Sequence, residues 1–498
     1  MNFPENTPRS SIVQPGLSDH FIIELIIEGN YRNNPSENEM VFLFEKANHK
    51  AIQDRMLVAE RQIERMILRN EEIDSVYEVF TNALLSAKET WVPTRRKYRK
   101  RENEPIWFNK NCRTAVNKQR KLYNKYKRTQ QPFHLEKYRT YRRESRKFLR
   151  SQHRLYMNKR LFEPLMKGDS RAFYSYMKTK RDSCNNISHL VSSNGKMLEN
   201  PVDVANELNS YFKSVFNPKG DSHKVESSDS LEIKINVEGV KALIKGLKAG
   251  KAPGPDAIGK NELSMAPDQT AAILTKIFQY SFDSASLPSV WKLANVAPIH
   301  KGGLRSCPGN YRPVSLTCVT CKMLERIVLH NMREKLNSIV VPNQHGFREG
   351  LSCTTQLLTT TQSIMSNIDK RYSVKAAVLD FAKAFDKVPH DLLLKKLESY
   401  SFPRVLLNWI IEFLSQRKQR VLVQGDMSDV QEVTSGVPQG SVLGPALFLL
   451  YINDIATGLT SNIRLFADDA LMHLTINEIN SHEVFQDDLN KLENWASQ

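Results

Sequence analysis

"NIRLFADDALMHL", residues 462–474, sets two adjacent carboxylates, Asp468 and Asp469, between two short apolar runs. The pattern reads strand–turn–strand, with the acidic pair at the tight connection. Neighbouring carboxylates repel, and a pair held near apolar surface is costly unless something positive neutralises it. Further upstream, "YSVKAAVLDFAKAFDKV" (372–388) begins as a strand of small and β-branched residues ending at Asp380. Laid beside the hairpin, that strand brings three carboxylates to one sheet. Such a cluster cannot ionise fully without cations. Oxygen-only ligands favour Mg²⁺, which keeps waters and binds substrate phosphates. Two such ions about 4 Å apart clamp the attacking and leaving oxygens of a phosphoryl displacement. On these residues alone the alternative stands that Asp468 and Asp469 are simply turn formers.

The segments around this cluster alternate short strands and helices, with dense Gly/Pro punctuation. "HDLLLKKLESY" and "VLLNWIIEFLSQR" have helical periodicity, and "RVLVQGDMSDVQEV" (420–433) reads as a hairpin around Gly425-Asp426. "GVPQGSVLGPALFLLYINDI" is a loop running into a buried helix. The expected class is α/β (α+β).

Upstream the texture differs. "GLSDHFIIELIIEGN" (16–30) reads as a turn and an apolar strand, and residues 40–90 as helix with alternating charge. Residues 95–160 hold 24 Lys and Arg against four Glu and no Asp, an excess larger than the whole chain's +17. One segment therefore carries the entire basic character, which points to a polyanion docking there. "QQPFH" divides it into helices near 108–129 and 134–165. Tyr141, Phe148 and Leu155 recur at spacing seven, predicting an apolar stripe with Arg and Lys facing outward. A helix at 203–216 leads into "NPKGDSHKVESSDS" (217–230), a linker by composition.

Hydrophobic content of 40% and charge of 25% describe an ordinary globular chain, and 498 residues suffice for two to four domains. No apolar run approaches a membrane span, and the N-terminus lacks a signal-peptide pattern. Six scattered cysteines fit a reducing compartment, and Cys318 and Cys321 read as core residues although they form a C-x-x-C. The expectation is an intracellular protein.

An ordered motif series runs through the C-terminal half: "KAPGPDAI", "WKLANVAPIHKGG", "NYRPVSLTC", "NQHGFREGLSC", "AVLDFAKAFDKVPH", "SGVPQGSVLGPALFLLYINDI", "LFADDALM". The series resembles the reverse transcriptase of non-LTR (LINE-type) retrotransposons, especially the jockey-like group, from roughly residue 237 onward. The resemblance implies a right-hand polymerase with fingers and palm, and RNA-directed DNA synthesis with two Mg²⁺ ions, Mn²⁺ being able to substitute. Asp380, Asp468 and Asp469 take the catalytic, metal-binding positions. Phe385 matches the aromatic gate against a 2′-OH, with Phe381 and Gln439 in the substrate pocket. Lys301 and Arg312 match cations that contact the triphosphate. Arg348 and Gly440 fall at template positions.

The same resemblance assigns residues 1–35 to the tail of an apurinic-type endonuclease, with Asp19 and His20 its last catalytic pair and no nuclease activity expected. Residues 36–216 become a helical basic connector, 217–230 a linker, and 231–498 the polymerase without its thumb. Implied partners are an RNA template, a DNA primer or target and dNTP, with no membrane. The implied location is nucleus and cytoplasm, as a ribonucleoprotein. A second reading is a weak or inactive RNA-binding relic of a decayed element; the intact aspartates favour the enzyme, and the missing ends of the family pattern favour the relic.

Overall fold

Two sheets organise the C-terminal half. This computed structural model describes residues 9–14, 22–27, 40–96, 105–181, 187, 189–192, 194–218, 220 and 233–497. The first sheet contains β1 (Leu293–His300), β2 (Tyr311–Leu316), β4 (Lys418–Val423) and β5 (Asp426–Met427) in the order β5-β4-β1-β2, with β6 (Gln431–Glu432) also pairing β4. β4 runs parallel to β1, and β1–β2 is an antiparallel pair in which Arg312 lies opposite Ile299. The second sheet is antiparallel throughout, β7 (Asn462–Phe466), β8 (Asp469–Ile476) and β3 (Ser373–Asp380), with β8 central. The strand expected to end at Asp380, both hairpins and the buried helix α10 (Gly444–Ile452) are all present.

One compact unit comprises Met1–Leu43 and Thr94–Ile106. In it Arg9–Gln14 pairs antiparallel with Ile22–Ile27, and Met40–Phe42 with Thr94–Arg96. The apolar strand of "FIIELII" is thus Ile22–Ile27; Asp19 and His20 lie outside the described residues, as does most of the expected linker.

The other unit comprises Phe44–Pro93 and Trp107–Gln498. Its first helices, α1 (His49–Leu68) and α2 (Ile73–Trp91), carry the i, i+3, i+4 apolar spacing that makes one face bury. On α1 that face is Ile52, Met56, Ala59 and Ile63. α1 packs on α2, and both pack on α6 (Pro267–Asp283). Tyr77 of α2 is fully buried, donates to Asp256 at 2.8 Å and meets Trp291 edge-on at 5.1 Å. The boundary expected at 217–230 therefore does not divide compact units. Charge alternation marks the wet side of α1 and α2, while their dry side belongs to the same core as the later helices.

α3 (Lys110–Thr129) and α4 (Pro132–Tyr156) form the basic pair. Gln130 in left-handed backbone and Pro132 at the first turn make the connection. Asn109–Gln152, Lys118–Tyr141 and Tyr123–Tyr138 contacts run in opposite senses along the chain, so the helices are antiparallel. Tyr141 and Phe148 are half-buried, but Leu155 is 52% exposed, against the expected stripe. A seven-residue step lags an ideal helix by about 20°, so the seam drifts from Leu155 to Gln152 and Tyr156.

α5 (Pro201–Ser214) buries Val204, Ala205, Leu208 and Phe212 against Val296, Tyr311, Val421 and Val423 of the first sheet. Cys318 and Cys321, at the start of α7 (Val319–Ile339), are both buried. Among the described residues no helix is long and apolar enough to cross a membrane.

Candidate active site

Asp380 ends β3 directly opposite Asp469, the first residue of β8. Directly paired residues point to the same face of a sheet, so the two carboxylates share one face, and both are exposed. That face continues past Val378, 79% exposed, and leaves the pair open to a large ligand. Asp468 sits at the adjoining turn, half-buried. Burial, together with the charges of Asp469 and Asp380, pushes its carboxyl above the ordinary range, while Arg312 pulls it down. Among the described residues no three His, Cys, Asp or Glu side chains stand close enough, as placed, to hold a metal ion. The donor set is nevertheless all oxygen and mutually repelling, the condition a divalent cation relieves.

The turn is held from outside by a residue that the sequence did not single out. Gln344, 1% exposed, accepts from the Ala467 N–H at 2.9 Å and the Gly346 N–H at 2.8 Å, and donates to the Ala467 carbonyl at 3.3 Å. Its backbone bridges Leu465 in parallel, so 343–345 lies along the free edge of β7. Ala467 has φ of 56°, left-handed backbone that an alanine adopts only under constraint. Gly346 lies so close to the Ala467 backbone that a Cβ would collide with it. "NQHGF" is therefore a clamp on the acidic turn. A contact across more than 120 residues leaves no local pattern in the sequence.

Of the residues expected at a nucleotide pocket, Lys301, Arg312 and Gln439 lie on or against the first sheet. Lys301 follows β1 and its N–H donates to the Asn310 carbonyl at 2.9 Å; strand alternation puts Lys301, Ile299 and Arg312 on one face. Arg312 forms no ion pair among the described residues. Gln439 is anchored through its carbonyl, which accepts from the Ser315 N–H at 2.7 Å, while its side chain donates to Asp386 at 3.1 Å. Gly440, φ 120°, fits against Ser315 where a Cβ would not. Glu325, buried in α7, accepts from the N–H groups of Val442 and Leu443 and so fixes the far side of the "PQGSVLGP" loop. Asp386 is buried and pushed up to about 6, chiefly by burial, with Lys383 and Gln439 opposing. Neither Glu325 nor Asp386 was legible as functional, because each acts on backbone or amide groups distant in sequence.

Phe385 stacks on Phe448 of α10, centroids 4.5 Å apart and planes 13° apart, and meets Phe347 edge-on at 6.0 Å. Its ring is thus fixed in orientation. Phe381 instead points to Trp495 of α11 (Ser481–Ser497), 6.0 Å away, and lines a cavity with Tyr451, Phe448 and Pro389. Arg348 donates to the carbonyls of Val341 at 3.1 Å and Gln344 at 3.4 Å, which ties down the clamp loop.

Residues 299–498 match the family model for reverse transcriptase (RNA-dependent DNA polymerase). This segment is similar to a reverse transcriptase domain. The chain is 33% identical over 226 residues to the RNA-directed DNA polymerase from mobile element jockey of Drosophila melanogaster, covering 45% of this chain and 25% of that protein. The corresponding jockey protein of Drosophila funebris is 31% identical over 314 residues, covering 59% and 34%. The probable RNA-directed DNA polymerase from transposon X-element of Drosophila melanogaster is 24% identical over 503 residues, 96% of this chain and 54% of that one. These relatives bear out the jockey-like, non-LTR assignment that the motif series implied. The chain spans between a quarter and just over half of their lengths. Among solved structures, apo telomerase from Candida tropicalis aligns at a TM-score of 0.31 and 11% identity over 41% of this chain and 48% of that one, a likeness too slight to add to the fold.

Proposed function

We propose that this chain carries out RNA-directed DNA synthesis, joining a dNTP to a primer 3′-OH on an RNA template. The observation that carries the reading is the pairing of Asp469 with Asp380 across one open sheet face, with Asp468 at the adjoining turn. Asp380, Asp468 and Asp469 would hold the divalent cations, Mg²⁺ by their all-oxygen chemistry. Bound there, such ions supply charge neutralisation for the reacting oxygens. The chain's own groups orient the rest. Lys301 and Arg312 face the triphosphate, Gln439 is fixed between Ser315 and Asp386, and the stacked Phe385 ring stands where a ribose 2′-OH would clash.

Primer extension on an RNA template by the full chain tests this. Extension should require Mg²⁺ and dNTP, and Asp468→Asn should abolish it while leaving metal-free thermal stability unchanged. Extension by the Asn variant at the parent's rate would return the acidic pair to a turn with no role in catalysis. Phe385→Val should raise ribonucleotide over deoxyribonucleotide incorporation roughly tenfold or more, since a steric exclusion of a few kcal/mol is relieved. An unchanged ratio would remove Phe385 from sugar selection.

A further inference from the structure

The family match begins at residue 299, yet a side chain from well before it reaches the nucleotide rim. Tyr211, on α5, packs against the core of Val296, Tyr311 and Phe212. A Cβ at Gly309 would lie 3.1 Å from its hydroxyl, so the ring abuts the turn that sets Lys301 and Arg312. Over the ring stands Lys383, its ammonium 5.4 Å from the centroid. Lys383 lies three residues past Asp380 in left-handed backbone, φ 56°, and is half-buried. A lysine in that conformation is strained, and strain of this kind persists where surroundings enforce it.

We propose that Lys383 is a third triphosphate-binding cation beside Lys301 and Arg312, and that Tyr211 of the upstream helix is the positioning residue that holds it there. This rests on the polymerase reading. Lys383 makes no ion pair among the described residues. Burial depresses its ammonium, the charges of Lys301 and Arg312 depress it further, and Asp386 only partly opposes them. Lys301 and Arg312 both repel Lys383, Asp386 is the carboxyl that offsets them there, and Arg312 also acts on Asp468. The positive charge gathered around Lys383 is one that a triphosphate would satisfy. The ring face of Tyr211 attracts the ammonium without neutralising it, so the lysine is placed yet remains available.

Titration of the full chain with inorganic tripolyphosphate, without metal or nucleotide, reads this site directly. Lys383→Met should weaken binding roughly tenfold, the loss expected for one charged hydrogen bond. Tyr211→Leu should weaken it about threefold, and Tyr211→Phe, which keeps the ring, should bind like the parent. In primer extension the KM for dNTP should rise in Lys383→Met by more than kcat falls. No binding by the parent, parent-like binding by Lys383→Met, or equal losses in Tyr211→Leu and Tyr211→Phe would each overturn the proposal. Failure of the polymerase reading shows elsewhere, as extension indifferent to Asp468→Asn. Thermal melts of Tyr211→Phe and Lys383→Met, both conservative in volume, separate lost binding from lost fold.

Discussion

The α3–α4 hairpin and the β3–β8 sheet both concentrate like charge, and they accommodate it in opposite ways. On α4, Arg139, Arg143, Arg146, Arg150 and Arg154 recur every three or four residues and are all exposed, so water screens them and each can turn toward a ligand. The seam beneath is thin, Cys112 and Ser145 being the buried residues of the two helices. At the sheet, three carboxylates stand beside a turn whose shape is imposed by buried neutral groups, Gln344 and Gly346. Solvated charge of one sign suits an extended partner met in many registers. Charge clamped by uncharged hydrogen bonds suits a small ligand met in one.

The contrast breaks most sharply at Gln344. Gln344→Leu leaves the Ala467 and Gly346 N–H groups buried without acceptors, at a cost of about 2–4 kcal/mol in denaturant unfolding. Primer extension should fall about a hundredfold even well below the midpoint, since a displacement of the acidic turn by about 1 Å suffices for that. Extension at the parent's rate would show that the turn needs no clamp. The hairpin should behave otherwise. Replacing Arg143, Arg146 and Arg150 together by Gln should lower RNA affinity at low salt about tenfold or more and flatten the slope of log K against log salt by about 2. Stability should hardly change. An unchanged slope would mean that RNA does not meet this face.

Asp386 sharpens the same distinction through pH. Its folded-state value of about 6 lies above that of an unfolded aspartate, so its charge costs stability once pH passes between the two values. Asp386→Asn should therefore be more stable than the parent at pH 8, by roughly 2–3 kcal/mol, with the gain fading below pH 6 and gone near pH 4. Melting curves across that range check it, and a gain that grew toward acid would reverse the assignment. The smallest effect is on the hairpin seam: Phe148→Ala should cost about 1–2 kcal/mol and Leu155→Ala under about 0.5, one being half-buried and the other exposed.

What the sequence disclosed follows from the range of the forces involved. Short runs of apolar and β-branched residues marked β3, β7 and β8, and the acidic pair marked the turn between the last two, because strands and tight turns leave a local signature. The motif series carried Asp380, Asp468, Phe385 and Gln439 to one region. Gln344, Glu325, Asp386 and Tyr211 stayed hidden, since each works through a partner far along the chain. Leu155 was misplaced by treating a helix as if its period were 3.5. α1 and α2 read as a connector because their charges are the visible half of the pattern, and the destination of their apolar faces is a tertiary fact.

The parallel pairing of β1 with β4 bears on how the chain can be cut. A fragment begun at residue 299, where family similarity starts, would keep two of the eight residues of β1 and deprive Lys418–Val421 of its neighbour. It would also remove Phe278, Phe282 and Trp291, and so uncover Trp409, which stacks on Phe282 and donates to Ser281. The border of the family match is therefore not an expression border. A fragment that keeps this core whole has to include α1 and α2, however little that segment resembles a polymerase.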